Sequence, residues 1–471
     1  MRRILLSNKF MRSVPKSKNN PGARQRRPPD LPRIIIVGAG PCGIGAAWHL
    51  DRLSYPHWGL FEQNPYAGGL AASFRDRAGF TWDIGGHVLF SRRAIFQQFL
   101  SEIPHGGLNR IKRNTWVHTR AGWVPYPLQN NIHFLPKKDY ARCQRSLNER
   151  PQKGGPPAHF RDLLISRFGP YLAHRYLIPL NQKMWSYPLT RMSTGWVPSR
   201  ISPLRPNDFP QDRPQGIRSG GWGGNHHFFY PAKGGIGRIF ETAANQFRPN
   251  VSYRHQARSI DIQNKRVTFT NGRCESYDAL IYTGDIRALT HMISSHAGGI
   301  RRTAQRLKSN PLFVIGIGLR SKRKDPRTWM YFGARDIPFF RVTHLSNYSV
   351  RNTPGRAANG YASLLLEIRA NPNRESEKRS IYRDSVAALI RCGLLNDDDR
   401  DKIVSVFMRT CPVSYPVPTL NRDPHLEFIH NYLLKHQIYS VGRFGGFRYE
   451  EGNMDAAFMQ GFNAVKRILR S

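Results

Sequence analysis

The run Ile34-Ile35-Ile36-Val37, followed at once by Gly38-Ala39-Gly40-Pro41-Cys42-Gly43, constrains this chain more than any other stretch. An unbroken apolar run suits a strand buried on both faces. The Gly-x-Gly-x-x-Gly spacing then makes a tight turn whose backbone N–H groups can approach a pyrophosphate. The following Ala46-Ala47-Trp48-His49-Leu50 reads as a helix, whose N-terminus meets negative charge with free N–H groups and its dipole. A second strand, Trp58 to Phe61, closes on Glu62, 22 residues after Gly40 and about where a ribose-binding carboxylate belongs. The pattern predicts a Rossmann-like unit that binds a dinucleotide.

Beyond Glu62 come Gly68-Gly69-Leu70-Ala71-Ala72-Ser73 and Phe80-Thr81-Trp82-Asp83-Ile84-Gly85-Gly86-His87. These two stretches resemble the flavin-dependent amine oxidases, protoporphyrinogen oxidases and UDP-galactopyranose mutases, which carry a similar Gly-Gly turn and an Asp-x-Gly-Gly stretch beside the flavin. The resemblance narrows the dinucleotide to FAD. Gly85 and Gly86 suit that place, because a backbone without Cβ can lie against a planar ring.

The chain is long enough for several lobes. Residues 1–30 are basic and read as a disordered tail. Residues 31–110 supply the first part of the FAD-binding lobe, 111–200 a mainly helical, uridine-binding region, and 201–225 a mobile loop. Strands resume in 226–310, the second FAD-binding part, and hairpin-like alternation runs from Asp261 to Thr270 around Asn264-Lys265. An antiparallel substrate sheet is expected over 311–420, with apolar strands at Leu312–Leu319 and Ser363–Ile368. The third FAD-binding part and a C-terminal helix from about Met454 fill 421–471. The expected fold is α/β, with a discontinuous Rossmann-like lobe, an inserted helical substrate domain and an antiparallel sheet domain.

Aromatic and Arg residues gather where loops meet these elements. Examples are Trp123-Val124-Pro125-Tyr126-Pro127-Leu128-Gln129-Asn130-Asn131-Ile132, Ser346-Asn347-Tyr348-Ser349 and Gly442-Arg443-Phe444-Gly445-Gly446-Phe447-Arg448-Tyr449-Glu450. Together they offer aromatic faces for a uracil and Arg forks for phosphates. In sequence the constellation looks like the eukaryotic-type UDP-galactopyranose mutases over residues 33–466.

That resemblance implies the following roles. Uridine lies near Tyr126, Gln129, Tyr176, Asn181 and Trp185, with Tyr176 stacked on the uracil. Arg341 bridges the diphosphate with Tyr331, Tyr348, Tyr415 and Tyr449. Arg200 and Asn225 sit on two flaps, Arg113 and Arg443 lie near flavin and galactose, and His87 faces the flavin N5 edge. The FAD contacts implied are Gly38, Gly40, Pro41, Cys42, Gly43, Glu62, Gly69, Leu70, Gly85, Gly86, His87, Gly442, Arg443, Tyr449, Asn453 and Met454. The family tends to carry Gln where this chain has Met454.

The implied reaction is the redox-neutral interconversion of UDP-galactopyranose and UDP-galactofuranose, with reduced flavin N5 as nucleophile and NADPH or NADH as reductant. The runners-up are an oxidase of the amine oxidase or protoporphyrinogen oxidase class and a homologue acting on another nucleotide sugar.

The charge is unusual: 72 Lys and Arg against 31 Asp and Glu, a formal +41. A few cations suffice for the ligands, so the surplus fits either nucleic-acid or other polyanion association or a generically basic surface. Its even spread and the lack of a nucleic-acid motif favour the surface. The five scattered cysteines form no C-x-x-C pair, which argues for a reducing compartment, the cytoplasm, and against a metal site. An Arg-rich leader also matches an organelle-targeting segment. No apolar run reaches the length of a membrane span, and the quaternary state stays open.

Overall fold

The computed structural model describes residues 31–148, 155–199, 201, 216–217, 226–294, 297–321, 325–355 and 360–470. Strand β1 (Ile34–Val37) is buried along its whole length at the centre of a five-stranded parallel sheet. Its neighbours are Ala279–Tyr282 on one side and β2 (Trp58–Glu62) on the other. Val251–Tyr253 pairs outside β2, and Ile438–Ser440 pairs outside Ala279–Tyr282. The sheet therefore draws strands from widely separated parts of the chain. Helix α1 (Pro41–Arg52) starts with Pro41, which costs nothing at a position whose N–H would be unpaired anyway. It packs against the last helix, Met454–Ile468, through Trp48, Phe458 and Phe462.

The second large sheet has seven strands in the order 403–416, 309–320, 361–368, 339–344, 329–332, 115–119 and 122–125. Neighbours are antiparallel except Trp329–Phe332 beside Thr115–Thr119, which are parallel, so the sheet is mixed. The hairpin 115–125 belongs here and not to the helical region expected over 111–200. Its β-branched and aromatic alternation, Thr115-Trp116-Val117-His118-Thr119, fits a half-buried pleated surface better than a helix. Helix Glu375–Arg391 covers one face through Val386 and Leu389.

The strand His227–Pro231 also leaves its expected place. It pairs with Leu108–Lys112 in a separate ribbon and contributes no strand to the parallel sheet. Fully buried Asp83 explains how this ribbon is anchored. It accepts hydrogen bonds from the Tyr230 hydroxyl at 2.7 Å and the Ile236 N–H at 3.2 Å, just before helix Gly237–Gln246. The acid of the Asp-x-Gly-Gly stretch is thus a scaffold group, and the glycines after it reach the cavity. The expected hairpin near Lys265 forms between Ala257–Asp261 and Arg266–Phe269.

The remaining lobe is helical, built on Lys137–Asn148, Phe160–Phe168 and Ile178–Trp185, with Phe160, Phe168, Trp185 and Trp196 fully buried in its core. A π-helical turn, Ala173–Leu177, precedes Ile178–Trp185. Among the described residues, no helix is long and apolar enough to cross a membrane.

Candidate functional site

One cavity of about 1120 Å³ runs between the two large sheets and the helical lobe, roomier than a typical small-molecule site. At one end it is lined by Gly38, Gly40, Pro41, Cys42, Glu62, Gly69 and Leu70. Gly40 and Gly69 face each other here: a Cβ on Gly69 would stand 3.3 Å from the Gly40 Cα. Side chains at these positions would fill the cradle. The first N–H groups of α1 have no partner within the helix, so the cradle offers donors and dipole to a diphosphate. Glu62, 4% exposed, accepts from the Ala39 N–H at 2.8 Å and from Asn64 at 2.8 and 2.7 Å. Its carboxylate is thereby fixed at the cavity wall beside the turn. An open glycine cradle with an oriented acid fits FAD.

Midway along, Gly85, Gly86 and His87 line the cavity. The Gly86 N–H donates to Glu367 Oε1 at 3.0 Å, and Arg341 donates to the same carboxylate through Nε at 2.6 Å and Nη2 at 2.8 Å. Glu367 is 1% exposed, and Arg341 with the Gly86 N–H holds its pKa below the ordinary carboxylate value against the upward push of burial. The His87 Nδ1 is buried without a hydrogen-bond partner. Burial lowers its pKa to about 4, so the imidazole is neutral at neutral pH.

The far end is aromatic and cationic. The Arg113 guanidinium lies 5.0 Å from the ring centres of both Tyr126 and Trp329. Arg443 lies 4.9 Å from Tyr415 and 6.0 Å from Tyr449, and donates to the carbonyls of Ser414 at 2.9 Å and Gly452 at 2.8 Å. Gln129, Asn181 and Tyr331 complete this wall, and Asn453 and Met454 line the same cavity.

Five expected residues do not line the cavity. Gly43 and Gly442 are buried behind it. Tyr348 is 1% exposed and packs on Phe228 and Tyr230. Trp185 is fully buried against Trp196 and Tyr449, its indole N–H without a hydrogen-bond partner. Tyr176 points its hydroxyl at Asp139, 2.9 Å away, and so does Tyr171 at 2.7 Å. Helix phase explains this: Leu177, Leu180, Asn181 and Met184 form the cavity face at i, i+3, i+4, i+7 spacing. The wider π-helical turn, which ends on Leu177, carries Tyr176 off that face. Arg200 and Asn225 lie outside the described residues.

The geometry agrees with what this chain is similar to. A family model described as an NAD(P)-binding Rossmann-like domain matches residues 36–103. The crystal structure of reduced UDP-galactopyranose mutase superimposes with a TM-score of 0.87 at 36% identity, covering 93% of this chain and 94% of that one. This chain belongs to the UDP-galactopyranose mutase family. Putrescine oxidase bound to putrescine (15% identity, TM-score 0.64) and cyclohexylamine oxidase from Brevibacterium oxydans IH-35A (13%, TM-score 0.64) each cover 93% of this chain and 99% of their own. At such identities they share the fold alone.

In this mutase-family chain, sequence reasoning missed Glu367, Arg369 and Arg409. Glu367 and Arg409 line the cavity, and Arg369 stands behind Tyr415. A signal was present for the first two. Tyr361–Ile368 is apolar apart from Ser363 and Glu367, and an acid at 367 followed by Arg369 calls for buried partners.

Proposed function

We propose that this chain interconverts UDP-galactopyranose and UDP-galactofuranose without net redox change, using FAD in its reduced form. One observation carries the reading: the glycine cradle of a dinucleotide and a wall of arginines and tyrosines share a single continuous cavity. A flavin held at one end thereby meets a nucleotide sugar held at the other. The 36% identity to a mutase over nearly the whole chain supports the same conclusion.

Gly38, Gly40, Pro41, Glu62, Gly69 and Leu70 would hold the adenosine and diphosphate parts of FAD, with Gly85, Gly86, His87, Asn453 and Met454 around its ring. When bound and reduced, FAD supplies the nucleophile for the anomeric carbon. The chain's own groups do the rest. Arg113 and Arg443 present positive charge to the departing UDP in a low-dielectric wall, where fixed charges act most strongly. The hydroxyls of Tyr331, Tyr415 and Tyr449 offer donors to phosphate oxygens. Tyr126, Gln129 and Asn181 receive the uridine. Neutral His87 leaves the cavity centre without an extra cation.

Side-chain nucleophiles are poorly placed to compete. Burial raises the pKa of both cavity cysteines, Cys411 to about 11 and Cys42 further, so neither is a thiolate at neutral pH. Arg200 and Asn225 are proposed to close over the sugar, and NADPH or NADH to reduce the flavin.

The test is to incubate dithionite-reduced protein with UDP-galactofuranose and separate the products by chromatography. UDP-galactopyranose should accumulate; absence of conversion at every substrate level overturns the reading.

A further inference from the structure

The charges around the substrate end do not balance as the arginine count suggests. Arg341 faces the cavity, yet two hydrogen bonds commit it to Glu367, so the pair is close to neutral from a few ångströms away. Arg369 is the opposite case. Its Nε donates to the Met184 carbonyl at 2.6 Å, and its Nη1 to the Pro311 carbonyl and the Ser414 hydroxyl, both at 3.0 Å. Its Nη2 is buried without a partner, and among the described residues no carboxylate forms an ion pair with it. Its guanidinium carbon lies 4.0 Å from the Tyr415 ring centre and 4.5 Å from that of Phe340.

A buried cation with only neutral hydrogen-bond acceptors is expensive unless its field is used. Burial pulls the Arg369 pKa down, as that cost requires. Three of its contacts, Met184, Ser414 and Tyr415, line the cavity. The Tyr415 ring also carries Arg443 at 4.9 Å, so two cations act on one phenol and strengthen its hydroxyl as a donor.

We propose that Arg369 is a positioning residue for the leaving diphosphate. From behind the cavity wall it supplies the positive charge that Glu367 removes from Arg341, and it holds Tyr415 and Ser414 against the ligand. The inference rests on the UDP-sugar reading above.

The test compares the binding of UDP and uridine to FAD-loaded protein by calorimetry. Arg369→Met should weaken UDP about tenfold, as expected for one charge acting through a partly polarisable wall, and uridine by less than about twofold. Arg369→Lys should restore most of the UDP affinity. Equal weakening of UDP and uridine, or a Lys variant no better than Met, reduces Arg369 to a structural residue and overturns the proposal. So does unchanged UDP affinity in the Met variant. If Arg369→Met fails to fold, Arg369→Gln reads the same ratio. Wild-type protein that binds no UDP overturns the functional reading itself, a result distinct from wild-type binding that Arg369→Met leaves intact.

Discussion

Glu367 clamps Arg341 with two hydrogen bonds, 2.6 and 2.8 Å long, while a third from the Gly86 N–H reaches the same carboxylate. One buried acid therefore ties the Gly86 turn to Arg341 in the cavity wall. Removing its charge disturbs both at once.

Glu367→Gln keeps the shape of the side chain but leaves Arg341 as an uncompensated cation. Breaking a buried pair in this way costs about 3–5 kcal/mol. A clear fall in thermal midpoint is expected, with weaker flavin retention because the Gly86 turn loses its charged acceptor. A midpoint within error of wild type would show that the pair adds little.

Arg341→Ala should slow UDP-sugar turnover while FAD stays bound, and should also destabilise the fold by stranding Glu367. The double variant Arg341→Ala, Glu367→Ala is predicted to be less destabilised than the sum of the two single variants, with a coupling of roughly 1–3 kcal/mol. Denaturant titration of all four proteins measures it. Simple additivity would argue against the clamp.

His87 makes stability depend on pH. Its folded pKa of about 4 lies below the ordinary value of 6.5, so between those values the unfolded chain holds more protons. Stability contributed by His87 is thus full above pH 6.5 and is lost as pH falls towards 4. Comparing unfolding midpoints of wild type and His87→Asn across that window should show a steeper wild-type decline. Parallel curves would contradict the assignment of a buried neutral imidazole.

Gly40→Val places a branched side chain at the mouth of the cradle beside Gly69. The purified variant should lose the visible absorbance of flavin while its far-UV circular dichroism stays that of wild type. Full flavin content would disprove the cradle.

The cofactor end was readable from sequence because its chemistry is local: strand, turn and acid lie within 34–62 and carry their own spacing. The substrate end was readable only in composition. Tyr126, Tyr331, Arg341, Tyr415 and Arg443 do share one wall, yet Tyr176 does not. One π-helical turn shifts the phase of its helix, and no residue pattern announced that turn. Glu367 escaped because its partners, Gly86 and Arg341, lie 281 and 26 residues away. The 115–125 hairpin departs from the helical expectation because its strand partner, Trp329–Phe332, comes some two hundred residues later in the chain.

The order of the parallel sheet has a consequence for synthesis. Its central strand, β1, is made early, within the first forty residues of the sequence. One flanking strand, Ala279–Tyr282, follows only after more than half the chain has been made, and the outermost, Ile438–Ser440, comes near the end. The helix that packs against α1 is later still. Non-local pairing of this kind is slow and leaves strand edges exposed. The nascent chain must therefore carry an unfinished cofactor site through most of its translation, and flavin capture becomes a late event that locks the three distant parts together.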